Sequence, residues 1–350
     1  MPISSTHKTK KPNMYAWQFK TARGGLENNL YRPAAGVPKP KFTEGQVLVE
    51  VYSAALNPAD YKVPELGLVA RGIIPSPSTP GQDFCGKVCE TARKTVSYRV
   101  GQMVFGMHGG PFGHGSLGQY IVVSKEMLAP VPTGLKVDDM AGVGVAGLTA
   151  YQSIQPHVKE GDKVFINGGS GGTGIFGIQI AKALGCHVTT SCSTANIELC
   201  KSLGADEVID YKTMDVVETL KKKGQVFSLV VDNVGMPSKL YGQCHHFVVH
   251  HGHYTQVGAD IGVASAIQHA GNMFLPGFLG GGRRRYQFLS LKPNHKQLVQ
   301  LGQWIAEGKV KPVIDSIWEY DDTPKAFERL KTQRAKGKVV VHVKKNDIKG

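Results

Sequence analysis

No run among the 350 residues is apolar for long enough to form a membrane-spanning helix, so none is predicted. The basic N-terminus, MPISSTHKTKKPNMYAW, lacks an apolar h-region, which argues against a secretory leader, and it is poor in arginine for a mitochondrial address. Cytoplasm is the default expectation. Cysteine is scarce: six residues, at 85, 89, 186, 192, 200 and 244, form no C-x-x-C pair and no disulfide framework, which points to free thiols in a reducing compartment. Acidic residues are few as well, 27 against 41 lysines and arginines, for a net charge of +14. The basic ones cluster only in short runs, Lys221 to Lys223, Arg283 to Arg285 and the tail, with no interleaved aromatics. They read as solvated faces, and nucleic acid is not an expected partner. Such an excess equally favours a phosphate-rich ligand or acidic substrates. No internal repeat is visible.

Glycine, by contrast, is abundant, with 43 residues. Its densest cluster lies in residues 161–182, GDKVFINGGSGGTGIFGIQIAK. There KVFIN reads as a short buried strand, GGSGGTG as a tight turn, and IFGIQIAKAL as a helix with apolar residues at 3.6 spacing. The turn contains G-x-G-x-x-G at Gly169, Gly171 and Gly174, with Gly168 and Gly172 as extras and Ser170 and Thr173 between them. Glycine is needed where a backbone must approach a pyrophosphate and a helix must pack closely on its strand. Amides at the helix N-terminus then face the phosphate charge. A glycine turn alone can be merely structural. Here a strand precedes it, a helix follows, and further strand and helix alternation comes after.

A second strand, CHVTTSC, ends about twenty residues later, where an NAD-preferring fold carries Asp or Glu for the ribose 2′-hydroxyl. This chain has Ser191, Cys192, Ser193 and Thr194. The absence of an acid permits a 2′-phosphate, and only together with the family resemblance given below does it make NADP(H) the expected cofactor. SLVVDNVG and GHYTQVGA read as two more buried strands. Open α/β sheets bind ligands beyond the carboxyl ends of their strands, which brings Asn233 and Val257 toward the nicotinamide.

The same glycine stretch resembles the quinone oxidoreductase (zeta-crystallin-like) and enoyl reductase branch of the zinc-independent medium-chain dehydrogenases/reductases. The chain supplies Gly161, Asp162, Ser170, Gly171, Gly172, Gly174, Gln179 and Lys182 of that pattern, with Phe165 for a leucine and Gly169 for a small residue. The resemblance extends over nearly the whole chain. It implies an α/β fold: a Rossmann doubly wound parallel sheet over 144–285, and a discontinuous, mainly β GroES-like catalytic domain over 1–143 and 286–350. VLVEVYSAAL, QMVFGM and GQYIVVS read as strands of that domain. YQFLSL is expected to return the chain to it, followed by the amphipathic helix HKQLVQLGQWIAEGKV, a helix TPKAFERLK capped by Thr323, and the closing strand GKVVVHV.

By the same resemblance, the loop Asn57-Pro58-Ala59-Asp60 stands where zinc-dependent members carry a cysteine ligand, and Pro80-Gly81-Gln82-Asp83 where they carry a His-Glu pair. Catalytic zinc needs three Cys, His or carboxylate ligands. Those are missing, as is the cysteine quartet of a structural zinc lobe, so no metal is expected. Asn57, Asp60 and Tyr61 are the implied catalytic residues near nicotinamide and substrate, with Tyr61 a candidate proton donor or anchor. For the Asn and Asp, simple loop hydrogen bonding is the alternative. Thr149, in a helix over 141–151, is implied at the nicotinamide amide, and Tyr211, followed by Lys212, at the 2′-phosphate. The family often carries Lys or Arg near Asn196, which this chain lacks.

Two further features invite function. Cys244, His245, His246, His250, His251 and His253 suggest a metal, but no spacing among them matches a known site. Met273, Phe274, Leu275, Phe278 and Leu279 resemble an apolar loop beside the substrate pocket; dimer contacts, or a membrane-touching edge helped by Arg283 to Arg285, stay open. The reading at this level is an NADPH-dependent reductase that passes hydride to a quinone or an α,β-unsaturated carbonyl. An enoyl-thioester reductase and a non-catalytic NADPH-binding protein that associates with a membrane or partner are the alternatives.

Overall fold

A computed structural model describes residues 13–92, 98–109, 113–236, 239–258, 269–272 and 283–344. The apolar loop residues Met273, Phe274, Leu275, Phe278 and Leu279 lie outside the described residues.

Six parallel strands form one sheet, in the order Glu207–Asp210, His187–Cys192, Lys163–Asn167, Phe227–Asp232, Val248–Gln256 and Arg285–Phe288. Numbered along the chain this is 3-2-1-4-5-6, the doubly wound arrangement. The central strands are buried along almost their whole length, which is why KVFIN and FSLVVD read as continuous apolar runs rather than alternating ones. The topological switch point lies between Lys163–Asn167 and Phe227–Asp232.

The second sheet is built on Gln46–Leu56, which pairs antiparallel with Asp83–Thr91, Tyr120–Ser124 and Lys338–His342. Met103–Met107 and Leu128–Pro130 extend it on one side and Ile314–Glu319 on the other. Its closing strand therefore comes from the far end of the chain, and the domain is discontinuous. The sheets share an apolar core in which Phe105, Met140, Leu148, Phe176, Leu298 and Val340 are fully buried. Each such side chain contributes about 1.5–3 kcal/mol by leaving water.

Two local expectations change. Arg285–Phe288 pairs parallel with Val248–Gln256, Arg285 opposite His253 and Phe288 opposite Gln256, so YQFLSL begins in the nucleotide sheet and the expected boundary after residue 285 cuts a strand. As an edge strand with mostly exposed side chains it carries little patterning to tell which sheet it joins. The helix near the C-terminus spans Thr323–Lys331, and its N-cap is Asp322; the Thr323 hydroxyl donates instead to the Tyr320 carbonyl at 2.7 Å. Helix His295–Ala306 follows its pattern, burying Leu298, Leu301, Gly302 and Ile305, with Asn294 accepting from the Gln297 amide.

Candidate active site

The helix Gly172–Ala183 begins behind the glycine turn with Gly171 at its N-cap and no side-chain cap. Its first-turn amides have no partner within the helix and point outward at the positive end of the dipole. A Cβ at Gly174 would fall 2.1 Å from the Gly168 carbonyl oxygen, and one at Gly169 would fall 2.2 Å from Thr190 Oγ1. The bare backbone at these two positions is a steric requirement. Two other residues of the motif are structural: Gln179 exchanges hydrogen bonds with the Lys311 backbone, and Lys182 pairs with Asp206 at 2.9 Å.

Ser191 differs from its expected role. It is fully buried; its hydroxyl donates to Asn167 Oδ1 at 2.6 Å and accepts from the Gly168 amide at 3.1 Å, while its carbonyl accepts from Gly169. Ser191 thus pins the turn from beneath rather than meeting the cofactor, because its place in the sheet points it inward. Asn167 in turn donates to Asp232 Oδ1 at 2.8 Å, and Tyr254 donates to Asp232 Oδ2 at 2.7 Å. Burial and the Asp232 charge push the Tyr254 phenol well up, so it stays a donor. Asp232 also accepts from the Val234 and Gly235 amides. The network holds the strand ends at the switch point, with Asn233 donating to the Asn167 carbonyl and the Val257 amide bonded to Asp232.

Facing this cradle is a buried polar cluster from the catalytic domain. Asn57 caps helix Pro58–Lys62; its amide donates to Asp60 Oδ2 at 2.8 Å and its side chain to Asp83 Oδ2 at 2.9 Å. Lys338 donates to Asn57 Oδ1 at 2.6 Å and to Asp83 Oδ2 at 3.0 Å. Asp83 Oδ1 accepts from the Val145 amide, at the start of the helix Gly144–Ile154 that carries buried Thr149. The Lys338 stem runs past Gly142 and Gly172, where added Cβ atoms would meet it at 3.2 and 3.4 Å. It joins the catalytic loop to the phosphate turn, and the Gly337 amide bonds the Ser170 carbonyl beside it. Sequence reasoning missed Lys338, since a lysine opening an apolar strand looks like a solvated end; its 281-residue separation from Asn57 leaves no local signal. Asp60 is wholly buried, and that burial pushes its carboxyl up to about 8. One of its oxygens, Oδ1, has no hydrogen-bond partner.

Tyr61 is not part of this cluster. Its ring is buried in the catalytic domain's own core, with the Lys331 ammonium 5.5 Å from its centroid, because one residue of helix turns it away from Asp60.

On the outer side of the nucleotide sheet, Ser193 leads into the turn Thr194–Asn196, and Tyr211 is half exposed just after Asp210. The Asp210 oxygens accept from Thr194 Oγ1 at 2.5 Å and the Lys212 amide at 3.0 Å, which holds that carboxyl below its ordinary range. Asn196 donates to Ser170 Oγ at 2.9 Å, leaving its own Oδ1 buried and unpartnered, as is Asn233 Oδ1.

The remaining candidates resolve into structure. His157 and His253 stack at 4.4 Å, and among the described residues no three His, Cys, Asp or Glu side chains gather as a metal site. Arg284 is spent on the Val248 and His245 carbonyls. Cys85 is fully buried, which raises its thiol far out of the nucleophilic range. Among the described residues no helix is long and apolar enough to cross a membrane.

A nicotinamide dinucleotide fits these residues: the Cβ-free turn leaves room for pyrophosphate, the helix end is uncapped, and two buried amide oxygens lack partners beside it. Fold and cradle together define a dinucleotide-dependent oxidoreductase. Residues 43–133 match the family described as alcohol dehydrogenase GroES-like domain, and residues 203–341 the one described as zinc-binding dehydrogenase. The chain is 45% identical over 351 residues to the trans-enoyl reductase pgmF of Aspergillus terreus, covering 96% of this chain and 98% of that enzyme. It is 30% identical over 317 residues to the chloroplastic quinone-oxidoreductase QR1 of Triphysaria versicolor, covering 87% and 92%. The quinone oxidoreductase of Coxiella burnetii superposes with a TM-score of 0.81 at 29% identity, over 95% of this chain and 99% of that one. The chain belongs to the medium-chain dehydrogenase/reductase superfamily, in the branch of quinone oxidoreductases and enoyl reductases.

Proposed function

We propose that the protein is an NADPH-dependent reductase of carbon–carbon double bonds conjugated to a carbonyl, an enoyl thioester or an enone, working without zinc in the cytoplasm. The observation that carries the redox class is the glycine cradle facing the Asn57–Asp83–Lys338 cluster. The end-to-end similarity to a trans-enoyl reductase supports the acceptor. Absence of zinc is supported by chemistry: the Lys338 ammonium is bonded to Asp83 and Asn57, at two positions where a catalytic metal would need free ligands.

Bound NADPH would supply the hydride. Gly169, Ser170, Gly171, Gly172, Thr173 and Gly174 would hold its pyrophosphate, and Thr149, Asn233 and Val257 would border the nicotinamide. Asn57 and Lys338 fix the catalytic loop against this cradle, so hydride donor and acceptor meet in one orientation. After hydride addition the substrate needs a proton at its α-carbon. Asp60, protonated near neutral pH because burial holds its carboxyl at about 8, is the proton store nearest the loop.

The test is NADPH oxidation by the purified chain with a crotonyl thioester, a cyclic enone and a panel of quinones. Turnover of the first two is expected. Turnover of quinones alone would favour the second reading, quinone reduction, which the similarity to QR1 and to the Coxiella burnetii enzyme supports. NADPH binding with no turnover would leave a non-catalytic binding protein, and absence of binding would end the oxidoreductase reading.

A further inference from the structure

The turn that follows strand His187–Cys192 carries Ser193, Thr194, Ala195 and Asn196 and no cation, yet a lysine reaches it from the other domain. Lys336 Nζ lies 3.4 Å from the Ala195 carbonyl oxygen, on the turn that follows strand His187–Cys192. Its position is fixed from both sides: the Lys336 amide donates to Asp315 Oδ1 at 2.8 Å, and the neighbouring Gly337 amide donates to the Ser170 carbonyl at 3.2 Å. The side chain is exposed, and among the described residues no carboxylate lies within ion-pair distance of it. The nearby acids are already engaged. Asp315 is held by Arg329 through two bonds, Asp210 by Thr194 and Lys212, and Glu198 by Lys201. Lys336 is thus a charge resting on one long carbonyl contact, which a phosphate would replace with a stronger, charge-assisted bond. The turn it touches also presents Asn196, whose side chain donates to Ser170 Oγ.

We propose that Lys336 recognises the ribose 2′-phosphate of NADPH, supplied across the cleft by the catalytic domain's last turn in place of a cation on the nucleotide domain. The assignment rests on the nucleotide reading above and makes cofactor choice depend on the two domains being docked. Lys336 is then a specificity-determining residue.

The experiment is calorimetric titration of the cofactor-free full chain with NADPH, NADH and adenosine 2′,5′-bisphosphate, which has no nicotinamide and cannot turn over. Lys336→Gln is expected to weaken NADPH and the bisphosphate by about tenfold or more, as loss of one hydrogen bond to a charged group does, and to leave NADH within about twofold. Lys336→Glu should invert the preference, and Lys336→Arg should retain it. Equal losses for NADPH and NADH, no loss, or a shift of preference only in Lys212→Gln would overturn the assignment. A parent chain that binds no dinucleotide would instead overturn the nucleotide reading itself, and a parent that prefers NADH would overturn the NADPH preference. Unchanged circular dichroism of the variants, expected for an exposed side chain, separates these outcomes from misfolding.

Discussion

Single atoms decide the cradle. A methyl at Gly174 would sit 2.1 Å from the Gly168 carbonyl, and neither backbone segment can yield without lifting the helix from its strand. Gly174→Ala should cost about 1–3 kcal/mol of stability, the usual penalty for overpacking, and weaken NADPH binding at least tenfold; an alanine variant that binds NADPH as the parent does would contradict the close approach. Asp60 poses a different single-residue question. Burial raises its carboxyl to about 8, against an ordinary value near 4, so the folded chain holds a proton that the unfolded chain releases between those values. Its stabilising contribution is therefore complete below about pH 4 and is lost as pH climbs through about 8. Asp60→Asn should remove that loss, so that urea melts from pH 4 to 8 show a flatter curve than the parent. Parallel curves would mean that Asp60 is ionised in the fold. Both residues were visible in the sequence, one through its spacing and the other through the resemblance. Neither signal held the buried environment that gives Asp60 its proton.

At the scale of elements, charges tie a short helix of the catalytic domain to a strand that arrives from the far end of the chain. Helix Val137–Ala141 is tied to the closing strand by His342, whose Nε2 lies 3.0 Å from Asp138, which also accepts the Ser53 hydroxyl at 2.5 Å. Burial pulls the imidazole down, but Asp138 and Glu319 together outweigh it, and the net value is raised. The tie therefore stabilises most below the unfolded value near 6.5 and fades as pH rises through the higher folded one. The melting temperature lost on His342→Gln should be larger at pH 5.5 than at pH 9; an equal loss at both would place the contribution in packing instead of charge. Elements were the most legible level of this chain. Periodicity marked His295–Ala306 and the two central parallel strands because their burial is one-sided or complete. It failed at Arg285–Phe288, whose exposed edge position leaves little pattern to read; Tyr61, named by resemblance, and Ser191, named by its place at a strand end, came from signals that do not tell which way a side chain turns.

Across the whole molecule, the decisive contact is the least local. Lys338 lies 281 residues from Asn57 and 255 from Asp83, and its stem passes the phosphate turn on the way to both. Its side chain and that of Asp83 are 2% and 0% exposed, so neither charge can turn to water if the other is lost. Such a pair is weak evidence of net stability but a strong constraint on geometry. Lys338→Met leaves Asp83 charged and buried beside Asn57, and should cost about 3–5 kcal/mol in urea unfolding. It should also loosen NADPH, since the catalytic loop and the glycine turn lose their common strut. Adding Asp83→Asn removes the stranded charge and leaves one side-chain oxygen to accept from the Val145 amide, so the double variant should recover much of the stability. Its NADPH affinity should stay low, because the amide restores solvation balance and not the bridge between domains. Stability and affinity recovering together would assign Lys338 to folding alone, whereas the split result makes it a positioning residue that holds the two halves of the site in register.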